Sequence, residues 1–145
     1  MRNRVAVLHG VNLGALDRRP ADHYGGLTLA RLEQRIEGYA RELGLHASFF
    51  QSDHEGEYVQ ELHKAGDYAD GLVLNPGAWT HYAWSLRDAV EISGLPAVEV
   101  HLSDVANREA FRRQSVLTDM CVAHVSGKGV EGYRDALVAV REAIA

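Results

Sequence analysis

The stretch Gly71-Leu72-Val73-Leu74-Asn75-Pro76-Gly77 sets the reading of the whole chain. Its apolar run lacks polar alternation, which reads as a strand buried on both faces, and Pro76-Gly77 ends it with a turn. A strand covered on both sides belongs to a parallel sheet, because crossover helices coat both faces of such sheets. Downstream, Ala83 to Ile92 has helical spacing, and Ala97-Val98-Glu99-Val100-His101 reads as the next strand.

The same alternation extends in both directions. Val5 to His9 is a short apolar run followed by a polar, Gly-containing segment to Gly26, so a first strand leads into a long loop. Thr28 suits the cap of a helix whose Leu29, Leu32, Ile36, Tyr39 and Leu43 recur at helical spacing, and Gly44 suits its stop. His46 to Phe50 reads as strand two, and Tyr58, Val59, Leu62 and Ala65 mark helix two. Beyond strand four, Arg108 to Gln114 reads as a short helix, Cys121 to Val125 as strand five and Glu131 to Ile144 as a closing helix. Five strands alternating with helices predict an α/β, flavodoxin-like, doubly wound parallel sheet with helices on both faces.

The length of 145 residues and 46% hydrophobic content suit one domain spanning residues 1–145. A net charge of -5 provides no electrostatic footprint for nucleic acid or an anionic membrane. The first apolar run, Val5 to Leu8, is too short for a signal-peptide core or a membrane span, so the expectation is a cytoplasmic protein. The single cysteine, Cys121, lies in the apolar run MCVAHV and reads as a small buried hydrophobe.

Ligands of doubly wound sheets bind beyond the carboxyl ends of the strands, where the winding reverses. Asn12, Arg19 and Tyr24 follow strand one; Asn75, Gly77 and His81 follow strand three; Glu99, His101 and Ser103 end strand four. This set holds a phenol, two imidazoles, amides and cations, which suits proton transfer beside a carbonyl. Glu99 and His101 are two apart on a strand, so both point one way and the carboxylate can fix the imidazole's tautomer. An unaided tyrosine is a poor base near neutrality, but a neighbouring guanidinium favours a phenolate, which makes Arg19 and Tyr24 a pair. Arg108 and Arg112, four apart on the expected short helix, would share a face that either clamps an anion or is merely solvated.

Competing chemistries lack their motifs. The eight histidines show neither HExxH spacing nor a cysteine pair, so no metal is expected, and His46, His63 and His124 each read as structural. No GxxxxGK[ST] loop is present, and His9 and Asn75 stand where a phosphoacceptor domain needs acids. Gly10 to Gly14 is a weak match to a flavin phosphate loop.

The ordered stretches HGVNL (9–13), RRPADHYGG (18–26), FFQSDHEGE (49–57), LNPGAWTH (74–81), LRDA (86–89), VEVHLS (98–103), NREAFRRQS (107–115) and GKGVEGY (127–133) together resemble the type II 3-dehydroquinate dehydratases along nearly the entire chain. The resemblance implies anti elimination of water from 3-dehydroquinate through an enolate to 3-dehydroshikimate, with no cofactor, in a homododecamer built as four trimers. By resemblance, Tyr24 is the base held as phenolate by Arg19, His101 is the acid oriented by Glu99, and Asn12 stabilises the enolate. Asn75, His81 and Arg112 look like hydroxyl-binding residues, the backbone of Leu102 and Ser103 like a carboxylate cradle, and Arg108 like an arginine that orders a lid over roughly Gly14 to Gly26. Asp88 resembles a residue that reaches the neighbouring subunit's site.

The chain departs from the family's habit at His9, Val11 and Gly14 in the first loop, at Asp53, at Asp104, at Trp79, Tyr82 and Trp84, and at Gln114, where a His is common. Every residue given a chemical role is present. Two rivals stay open: elimination from a close analogue such as an amino-substituted dehydroquinate, and a non-catalytic binding protein on the same scaffold.

Overall fold

A computed structural model describes residues 1–145. Its strands are β1 (Arg4–His9), β2 (His46–Gln51), β3 (Gly71–Asn75), β4 (Ala97–His101) and β5 (Ala123–Ser126), ordered β2-β1-β3-β4-β5. All neighbouring pairs are parallel. This is the flavodoxin-like doubly wound order, and its winding reverses between β1 and β3. The helices are α1 (Ala21–Tyr24), α2 (Leu29–Glu42), α3 (Glu55–Lys64), α4 (Trp84–Ser93) and α5 (Gly132–Ile144).

Side-chain alternation divides the core into two layers. Val5, Val7, Val73, Val98 and Val100 meet Leu32 and Ile36 of α2 and Leu137 and Val140 of α5. Ala6, Leu8, Leu72 and Leu74 face the other way, onto Tyr58 and Leu62 of α3 and Leu86 and Val90 of α4. Full burial of each such aliphatic side chain contributes about 1.5–3 kcal/mol, which is why the unalternated apolar runs become central strands. The Thr28 side chain caps α2 by accepting from the Arg31 N–H at 3.2 Å, and Gly44 supplies φ 74° just after its end. No helix is long and apolar enough to cross a membrane.

Three expectations need correction. The long loop after β1 holds a 3-10 segment, Leu13–Arg18, pinned by buried Leu13 and Leu16, followed by α1. The helix expected over Arg108 to Gln114 is one 3-10 turn, Ala110–Arg113, preceded by another at Val105–Asn107; neither buries a residue, so no packed stripe sustains an α-helix there. β5 runs from Ala123 to Ser126, displaced from Cys121 to Val125, because sheet pairing begins where the Val122 N–H donates to the Ala97 carbonyl at 2.8 Å. Cys121 packs at the edge of the second core layer, where burial pushes its thiol up to about 12 and leaves it protonated and inert.

Candidate active site

The loops after β1 and β3 are locked back to back at the reversal of winding. A Cβ on Gly10 would stand 2.3 Å from the Pro76 carbonyl oxygen, and one on Gly77, whose φ is 66°, would stand 2.7 Å from the Val11 oxygen. Only glycine admits this approach, and it brings Asn12 beside Asn75 and Gly77. Asn12 is the one non-glycine residue with positive φ, at 70°. Its N–H donates to Asp53 Oδ1 at 2.8 Å, and Gln51 Nε2 donates to the same oxygen at 3.1 Å. Asp53 Oδ1 thus fixes a backbone of positive φ, a role the side-chain oxygen of an Asn at this position would also fill.

A cavity of about 320 Å³ opens over these loops, lined among others by Asn12, Arg19, Tyr24, Asn75, Gly77 and His81. His101, Leu102, Ser103 and Arg112 also line it. The segment after β1 is folded over the cavity, and it carries Tyr24 to where two guanidiniums meet its phenol. Arg19 Nη2 lies 2.6 Å and Arg108 Nη1 lies 3.2 Å from Tyr24 Oη, and the Arg19 guanidinium also stacks 4.2 Å from the ring centre. Because both guanidiniums donate, the phenol oxygen is the acceptor in each contact.

Across the cavity stands His101, 6% exposed, at the end of β4. Its Nε2 lies 2.6 Å from Glu99 Oε2. Glu99 is fully buried and also accepts from the hydroxyls of Thr80, Ser115 and Thr118. Burial pushes this carboxyl up, but the His101 bond and charge with the Thr80 and Thr118 hydroxyls outweigh it and hold the group near 2. The carboxylate thus stays charged, fixes His101 through Nε2 and leaves Nδ1 free for chemistry.

The chain matches the family Dehydroquinase class II over residues 3–141. It is 46% identical to the 3-dehydroquinate dehydratase of Pelotomaculum thermopropionicum, over 98% of this chain and 96% of that protein. The type II dehydroquinase of Butyrivibrio crossotus superimposes with a TM-score of 0.91 at 34% identity, covering 97% of this chain and 98% of that one. The corresponding enzyme of Propionibacterium acnes gives 0.88 at 39% identity, with 95% of each chain covered. The chain belongs to the class II dehydroquinase family.

Within this dehydroquinase, the remaining expected residues divide. Asn75 is oriented from both ends: its Nδ2 donates to Tyr133 Oη at 3.2 Å and its Oδ1 accepts from the Gly77 N–H at 3.1 Å. His81 Nδ1 donates to the Gln114 carbonyl at 2.6 Å; burial lowers its pKa, which keeps the ring neutral. The carbonyls of Leu102 and Ser103 accept from Gly129 at 3.3 Å and Gly127 at 3.0 Å, holding the turn after β4. Arg112 lines the cavity and pairs with Glu109. Arg108 instead reaches Tyr24, so the two arginines do not form one clamp: the 3-10 turn between them does not repeat every four residues as the expected helix would. Asp88 is exposed on α4 and lies outside this chain's cavity.

Several residues in and around the site have no signal in the sequence. Thr80 comes from the loop after β3 and Ser115 and Thr118 from the connection after β4, and no local pattern announces that they converge on Glu99. Tyr133, fully buried in the first turn of α5, reaches the site through Asn75. His9, fully buried, has Nε2 3.1 Å from Glu33 Oε2, yet neither ring nitrogen makes a hydrogen bond of good geometry. His124, read as structural, stands opposite Glu99 across the β4–β5 ladder. With His101 it forms a group whose ligand atoms lie within 4.8 Å of one another.

Proposed function

We propose that this chain, acting as one domain of residues 1–145, dehydrates 3-dehydroquinate to 3-dehydroshikimate without a cofactor. The observation that carries the reading is the pair of guanidiniums on Tyr24 Oη, in a cavity shared with a carboxylate-backed His101. Tyr24, as phenolate, takes the proton beside the ketone; the electrons of that C–H bond move to the carbonyl and form an enolate. Asn12 donates to the enolate oxygen. The enolate then collapses, the C–O bond breaks, and imidazolium His101 gives its Nδ1 proton to the departing hydroxyl, releasing water. Glu99 provides the counter-charge that the imidazolium needs. Tyr24 and His101 return to their starting states by proton exchange with solvent.

Asn75, His81 and Arg112 bind the substrate hydroxyls, and the backbone at Leu102 and Ser103 receives its carboxylate. Arg108 couples closure of the lid to Tyr24 through its own hydrogen bond. We place the enzyme in the cytoplasm, as a homododecamer of four trimers in which Asp88 serves a neighbouring site. Tyr82 and Trp84, 60% and 64% exposed near the start of α4, support a subunit contact beside Asp88. Sedimentation of only monomer or free trimer would remove that assembly.

The test is to incubate chelator-treated protein with 3-dehydroquinate and follow the ultraviolet absorbance of the conjugated product, with Tyr24→Phe and His101→Ala alongside. Wild-type turnover that each variant loses by at least about 100-fold supports the acid and base. Silence from folded wild type sinks the reading and favours an analogue substrate or a binding role.

A further inference from the structure

A second cavity of about 340 Å³ shares His81, His101 and Arg112 with the first but is bordered by neither Asn12 nor Tyr24, and it has a single hydrophobic residue among its 11 lining residues. Glu99, His101 and His124 all border it. Their arrangement follows from the sheet: Glu99 and His101 alternate onto one face of β4, and His124 is the registered partner of Glu99 on β5. Two imidazoles and a carboxylate therefore project from two rigid strands toward one point.

We propose that Glu99, His101 and His124 form an inhibitory site for a divalent transition metal of the zinc class. Three properties fit such an ion. The donor set of two histidines and one carboxylate matches zinc and its neighbours and is unsuited to magnesium or calcium, which prefer all-oxygen shells. Ligand atoms around an ion with bonds of about 2.1 Å stand about 3.4 Å apart, so the Glu99–His101 contact of 2.6 Å must open slightly while exposed His124, within 4.8 Å of both, turns inward. Thr80, Ser115 and Thr118 already hold the Glu99 carboxylate from behind, the outer support that metal-binding carboxylates require. The polar cavity leaves room for water to complete the shell.

The consequence for activity rests on the dehydratase reading. Zinc on the ring nitrogen that faces Glu99 replaces the acidic imidazolium of His101 with a metal-bound neutral ring, whose remaining N–H is a far weaker acid toward the leaving hydroxyl. Binding itself does not depend on that reading, which allows the two to be separated.

Chelator-treated wild type and His124→Val are titrated with zinc chloride in the dehydratase assay, with magnesium chloride as control. Cobalt(II) is then added to each protein and its visible ligand-field absorption recorded. Expected are zinc inhibition of wild type reversed by chelator, a midpoint raised at least about 10-fold in His124→Val, little change in its metal-free rate, and a cobalt spectrum in wild type alone. His124→Gln serves if the valine variant does not fold. Equal zinc inhibition of wild type and variant, equal inhibition by magnesium, or a cobalt spectrum that survives in the variant overturns the site. If wild type lacks dehydratase activity but shows the His124-dependent cobalt spectrum, the metal site stands and only its inhibitory role falls.

Discussion

Glu99→Gln keeps the shape of the side chain and removes its charge, which isolates what the buried carboxylate contributes. Burial alone would raise this carboxyl above its ordinary 4.5, yet His101 and the surrounding hydroxyls hold it near 2. At about 1.36 kcal/mol per pH unit, the difference corresponds to about 3 kcal/mol of folding stability. Because the folded value lies below the unfolded one, that stability is complete above about pH 4.5 and is lost as pH falls through about 2. An unfolding entropy of about 2.1 cal/mol/K per residue over 145 residues gives about 0.3 kcal/mol/K, so the variant should melt about 10 °C below wild type at pH 7. Circular-dichroism melts at pH 7, 4 and 3, at matched protein concentration, should show the gap narrowing steadily below pH 4.5. A gap under about 3 °C at pH 7, or one that persists unchanged at pH 3, would refute the claim that the charge is what the site stabilises.

Arg19→Gln removes the closer guanidinium from Tyr24 while Arg108 remains, so kcat should fall by about 100-fold with the fold intact; an unchanged kcat would strip Arg19 of its role. Tyr133→Phe withdraws the acceptor that orients the Asn75 amide, at about 1 kcal/mol. KM should therefore rise about fivefold with kcat within about twofold, and a kcat loss at unchanged KM would contradict the hydroxyl-binding role. Gly77→Ala forces a Cβ into positive φ and against the Val11 oxygen; denaturant titration should show a loss of at least about 2 kcal/mol, and near-neutral stability would mean that the two loops are not locked.

The strands and long helices were legible because burial on a sheet or one helix face imposes a period, and periods are local. Leu32 and Ile36 declare α2 before any partner is known, and the unalternated run at Gly71 declares a central strand. The Glu99–His101 pair was legible for the same reason, since two residues on one strand share a face whatever the strand packs against. Arg108 and Arg112 show where local reasoning misleads: a spacing of four implies one face only inside an α-helix, and the chain there lacks the buried apolar positions that would sustain one.

What stayed hidden depends on register and on loops that meet only in the folded chain. The hydroxyls on Glu99 arrive from position 80 and from positions 115 and 118, and Ser and Thr there follow no local period. His124 looked structural because its significance requires two further facts, that β5 lies beside β4 and that the ladder sets His124 opposite Glu99 and not one residue away. A shift of one residue would turn His124 to the opposite face of the sheet, away from Glu99 and His101, with no change in sequence. The acid and the carboxylate that backs it are thus written into β4 alone, whereas the hydroxyls that hold that carboxylate come from loops and the second imidazole beside it comes from the sheet order.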